Sequence, residues 1–183
     1  SSNDTTLIYA KALDSAGNPS DCSAPLAYVH DSQAPNAPSG LSTNPESPAN
    51  GPAEVEVSGQ AEPGATVQIF AAAPCIGEPV GGAIADEDGN FTATAPVTAN
   101  GTSILYARAV DAAGNESGCS APVIFTHDDV PPDAPELSGT DPVGPSPELK
   151  PVVSGTAESG TKVTFYALAD CAGPAIGIGN AGA

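Results

Sequence analysis

Along most of the chain, apolar side chains recur at every second position for a few residues and then give way to Gly, Pro, Asn or Asp. VEVSGQA (55–61) and TVQIFAA (66–72) alternate in this way around AEPGA, a Pro-Gly turn sequence. PVGGAIA (79–85) leads through DEDGN, a hairpin signal, into FTATAPV (91–97). SILYARAVD (103–111), an AAGN turn and APVIFTH (121–127) follow, and a short stretch near GLS (40–42) precedes them all. A period of two bounded by turn residues predicts strands. Along 103–111 it puts Leu105, Ala107 and Ala109 on the inward face.

The pattern repeats. LIYAKALDSAGNPSDCSAPLAYVHD (7–31) aligns without a gap on ILYARAVDAAGNESGCSAPVIFTHD (104–128), and VSGQAEPGATVQIFAAAPC (57–75) on VSGTAESGTKVTFYALADC (153–171). The repeat is about 97 residues long, and its whole middle copy spans 34–130. Residues 1–33 are the last third of a preceding copy and 131–183 the first half of a following one. Seven strands in such a length is the count expected of an immunoglobulin-like (fibronectin III-like) β-sandwich, so the fold class is all-β in tandem units. The two incomplete pieces complement each other in sequence. The chain reads either as an excerpt of a long array or as a molecule whose half-domains are completed by neighbours.

Composition sharpens this picture. With no Trp or Met, and only four Phe and four Tyr, the core must be thin. Twenty Gly and 20 Pro suit short strands joined by turns. No apolar run approaches the roughly 20 residues needed to cross a bilayer. The 22 acidic residues face only Lys11, Arg108, Lys150 and Lys162, for a formal charge of −18. Such a surface repels phosphate backbones, which argues against nucleic acid as a partner, and clustered carboxylates invite calcium.

Cys22, Cys75, Cys119 and Cys171 form no CxxC pair and have no His at zinc spacing. Two per copy in an acidic, Lys-poor chain point to an oxidising, extracellular setting. The simple pairing is Cys75 with Cys119 inside the middle copy, which leaves Cys22 and Cys171 to partners in adjacent repeats or chains. The alternative joins Cys75 to the next copy's counterpart of Cys119, stapling domains head to tail. The strand order sets Cys75 and Cys119 toward opposite poles, so the first pairing requires AAAPCIGEP to fold back along the sheet.

VSGQAEPGATVQIF, ADEDGNFTATAP and ARAVDAAGNES resemble the bacterial Ig-like repeats of large surface adhesins, and the linkers HDSQAPNAP and HDDVPPDAP resemble their Asp-then-Pro joints. The cysteines are similar to those of a branch with an ACxG…GNxSxCS pattern. The resemblance implies an extracellular stalk or adhesive fibre at a cell surface, with neighbouring repeats or copies as partners and calcium often stiffening the joints.

In an up-and-down strand order the turns at 86–90 and 111–115 fall at the pole where the preceding linker enters. The candidate calcium residues are therefore Asp31, Asp86, Asp88, Asn90 and Asp111, with ordinary turn chemistry as the competing account. Enzymatic chemistry has little to stand on. His30 and His127 are equivalent linker residues, and GIGIGNAGA (177–183) is not a phosphate loop opening a helix. The rival function is glycan or protein binding through the pole loops, although 111–120 has no Tyr, Trp or Arg to anchor a partner. Asn3, Asn90, Asn100 and Asn115 stand in N-x-S/T sequons.

Overall fold

The computed structural model describes residues 4–182. It divides into two compact units, the first ending at Asp129 and the second beginning at Val130. Every regular element among the described residues is a strand.

In the first unit, β1 (Asp4–Ile8) and β2 (Leu26–His30) form an antiparallel hairpin with exposed side chains. Seven strands follow: β3 (Ser39–Asn44), β4 (Glu54–Gln60), β5 (Thr66–Phe70), β6 (Gly81–Ile84), β7 (Asn90–Pro96), β8 (Thr102–Val110) and β9 (Val123–Thr126). They make two antiparallel sheets, ordered β3-β4-β7 and β6-β5-β8-β9. This is the Ig-like sandwich that the strand count predicts.

The core lies between the sheets. β4 and β7 supply Val55, Val57, Phe91, Ala93 and Ala95, and the facing sheet supplies Val67, Ile69, Leu105, Ala107 and Phe125. Leu105, Ala107 and Ala109 are fully buried, as the alternation of β8 requires. Small inward residues let the sheets approach closely. At Gly81 a Cβ would lie 2.3 Å from the Thr94 carbonyl oxygen, so β6 meets β7 across the sandwich edge without room for a side chain.

Three strands are shorter than the alternation suggests. β5 stops at Phe70 and β6 starts only at Gly81, because the chain between them leaves the sheet at its cysteine loop. β9 starts at Val123, and the residues before it reach β8 by other means.

The second unit contains β10 (Glu136–Asp141), β11 (Val152–Thr156), β12 (Lys162–Phe165) and β13 (Gly177–Asn180), paired β10-β11 and β12-β13. By sequence these are the counterparts of β3–β6.

Candidate functional site

Three turns share one pole of the sandwich: β4–β5, β6–β7 and β8–β9. The first two are tied together by Ala61 N–H donating to the Gly89 carbonyl (2.9 Å) and Gly64 N–H to the Ala85 carbonyl (3.0 Å). At Gly89, φ is +83° and a Cβ would meet the Ala61 carbonyl oxygen at 2.5 Å, so glycine alone fits this joint.

The aspartate turns are built alike. Asp111 Oδ1 accepts from the backbone of Ala113 and Asn115, each at 2.8 Å, and Oδ2 accepts from Asn115 Nδ2 at 2.8 Å. Asp86 Oδ1 accepts from the backbone of Asp88 (3.0 Å) and Asn90 (2.8 Å). Asp14 repeats the motif with Ala16 and Asn18. These donors stabilise the ionised carboxylates. The Asn115 side chain first, then its backbone, holds Asp111 below the usual aspartate range; the Asn90 backbone leads for Asp86 and the Asn18 side chain for Asp14.

The entering linker reaches this pole, where Asn115 Nδ2 donates to the Asp31 carbonyl at 3.4 Å. Asp31, Gln33 and Glu62 line one shallow cleft. The joint that the sequence points to is therefore real, but its carboxylates do not converge. Among the described residues no three His, Cys, Asp or Glu side chains group as metal ligands do. Asp86, Asp88 and Asn90 share one turn and Asp111 closes another, with N–H donors directed at the oxygens that calcium would need. This arrangement fits hydrogen-bonded turns and does not fit a calcium centre.

The turns also bear on the sequons. Asn90 Nδ2 donates to Asp86 and Asn115 Nδ2 to Asp111, so a glycan on either nitrogen would leave a single N–H there for the turn. Asn100 has φ +50° and accepts from Asp129 N–H at 2.7 Å, and Asn3 lies outside the described residues.

Cys75 and Cys119 are joined by a disulfide with their Cα atoms 5.7 Å apart. The AAAPCIGEP loop does fold back: Cys75 N–H donates to Ala72 O, Val80 N–H returns to Ile69 O, and Cys75 Sγ lies 3.6 Å from the Ala107 carbonyl oxygen. Cys119 comes to the same level from the other side. Cys22 and Cys171 are free and exposed.

What holds Cys119 in place is a device the strand pattern does not announce. Ser117 and Ser120 each make a two-way rung to β8. Their backbone N–H groups donate to Ala109 O and Ala107 O, and their hydroxyls accept from Ala109 N–H and Ala107 N–H, all at 2.9 Å. Ser20 and Ser23 make the same rungs to Ala12 and Ala10. The signal available in the sequence was the S-x-x-S spacing around both Cys22 and Cys119.

At the opposite pole His127 is buried, 4% exposed. Its Nδ1 accepts from Asn100 N–H (3.0 Å) and its Nε2 faces the Gly51 carbonyl (2.8 Å), so it packs and bridges loops. His30, its counterpart, is exposed. Arg108 stacks 5.1 Å over the Phe70 ring, pairs with Glu116 at 2.8 Å and donates to Gln68 Oε1 at 2.9 Å.

A family model described as bacterial Ig domain matches residues 34–129. No curated protein matches the chain. Among solved structures, CopC from Methylosinus trichosporium OB3b is 20% identical over 48% of this chain and 91% of its own, with a TM-score of 0.29. The D00-D0 domain of intimin is 13% identical over 67% of this chain and 64% of its own, with a TM-score of 0.31.

Proposed function

The chain belongs to the bacterial Ig domain family, and from that premise we propose that it is a structural segment of an extracellular stalk, fibre or surface adhesin. Its units are the copy at 34–130, the end of one before it at 1–33 and the start of one after it at 131–183. Repetition is the observation that carries this reading. The aspartate turn and both serine rungs recur at an offset of 97 residues, built from equivalent atoms. A chain that reproduces one framework and its connections, and that varies no pocket, is suited to spacing and bearing load.

Two observations support an outer-surface setting. The disulfide persists only where thiols are oxidised, and the charge of −18 keeps neighbouring stalks apart. At the joint the Asn115 side chain donates to the Asp31 carbonyl, and on this reading that hydrogen bond stands in place of an ion. A small-angle scattering profile of the chain is therefore expected to stay the same when EGTA is added; a profile that changes would restore calcium to the joint. Strong, specific binding on a glycan array would overturn the structural reading in favour of recognition through the pole loops.

A further inference from the structure

We infer that the segment 47–51 is a strap that locks the end of β9, so that the middle domain yields to tension only by shearing a set of hydrogen bonds centred on His127. This rests on the load-bearing reading above and locates the bonds that carry the load.

Direction comes first. β4 and β8 both run toward the pole of the aspartate turns, and β3 and β9 are antiparallel to them. β3 and β9 therefore run the same way, from that pole to the opposite one. The preceding linker enters at the first pole, where Asn115 meets the Asp31 carbonyl, and the chain leaves at the second, after His127. Tension on the two ends draws the segment after β3 toward one pole and β9 toward the other, each along its own length.

That segment and β9 are bonded side by side. Ala49 and His127 form a parallel bridge, in which Ala49 N–H donates to the Thr126 carbonyl (3.1 Å) and Asp128 N–H to the Ala49 carbonyl (3.0 Å). On one side of it Thr126 N–H donates to Ser47 Oγ at 2.8 Å. On the other, the His127 ring reaches Gly51. Its Nδ1 accepts from Asn100 N–H, so the ring proton sits on Nε2 and is donated to the Gly51 carbonyl at 2.8 Å. Such bonds, pulled along the strands, share the load and must break together, whereas a peeled pair opens one bond at a time.

The β8 side supplies an independent observation. Asn100 stands at φ +50°, the left-handed region that few non-glycine residues adopt. There its N–H meets His127 Nδ1 and its Oδ1 accepts from Asp129 N–H at 2.7 Å, while His127 N–H donates to the Gly101 carbonyl at 2.9 Å. In a core short of large apolar side chains, a buried place is thus given to a polar ring that ties three stretches of chain together.

The test holds the full oxidised chain by its two ends in an optical trap at constant force. The disulfide identifies the middle domain's rupture. Its 44-residue span cannot extend while the bond is intact, so reduction lengthens that step by roughly 150 Å. Ser47→Ala, at an exposed position, removes the acceptor of Thr126 N–H, and Ala49→Pro removes the donor to the Thr126 carbonyl. Each is expected to raise the unfolding rate at fixed force roughly fivefold or more. Ser58→Ala breaks a hydroxyl pair with Thr92 (2.9 Å) between β4 and β7, outside the strap, and is expected to leave that rate unchanged. Urea unfolding checks that each variant is folded, and if Ala49→Pro is not, Ser47→Ala decides alone. Strap variants that unfold at the parent rate, or Ser58→Ala accelerating as much as they do, would overturn the inference and leave the stalk reading standing. Specific glycan binding would sink the stalk reading and leave these rates as they are.

Discussion

A serine hydroxyl decides how the chain after β8 is attached. Ser117 and Ser120 are buried, and each hydroxyl is the acceptor for a β8 backbone N–H that has no other place to go. Ser120→Ala would leave Ala107 N–H unpaired in the interior, at a cost of about 1–3 kcal/mol. Urea unfolding is expected to show a lower midpoint with an unchanged slope. Asp111 acts differently because it is only half-buried. Its folded-state pKa lies below the ordinary value, so its contribution is complete above about pH 4 and is lost as pH falls through the depressed value. Asp111→Asn is expected to flatten the acid side of the thermal stability profile, while a variant at an unbonded surface carboxylate leaves that slope in place.

Among the elements, the strands were legible in the sequence because each alternates and ends in turn chemistry. The burial of Val55, Val57, Phe91, Ala93 and Ala95 follows directly from that period. The route of the cysteine loop was not legible. Strand order alone sets Cys75 and Cys119 apart, and what closes the gap is tertiary: the return of Val80 to Ile69 and the serine rungs that carry Cys119 along β8. The candidate calcium residues divide along the same line. Sequence order leads to the shared pole, but whether carboxylates converge there depends on side-chain geometry, and Asp86 and Asp111 turn inward on their own loops. The disulfide closes a span of 44 residues around a thin core. Replacing both Cys75 and Cys119 by alanine should lower unfolding free energy by about 3–4 kcal/mol in the chain-entropy picture. Thermal melts of the oxidised protein and the double variant would measure it.

At the scale of the molecule, one framework is used more than once, and this shows the division between what repeats and what does not. The turn aspartates, rungs and linker motifs return at fixed spacing, whereas outward positions such as Ile104, Ile124 and their counterparts Leu7 and Ala27 change. Arg108 belongs to this wider view. Between Lys11 and Lys150 it is the sole Lys or Arg, and it lies in the middle of β8, stacked on Phe70 and bound to Glu116. A trypsin-like protease needs an exposed, extended chain around a basic residue, and the folded domain offers none. Because Pro151 shields the Lys150 bond from such a protease, digestion should cut at Lys11 and Lys162 and leave 12–162 whole. The first cut at Arg108 then marks the moment β8 leaves the sheet, so one scarce residue makes proteolysis a clock for the opening of the entire domain.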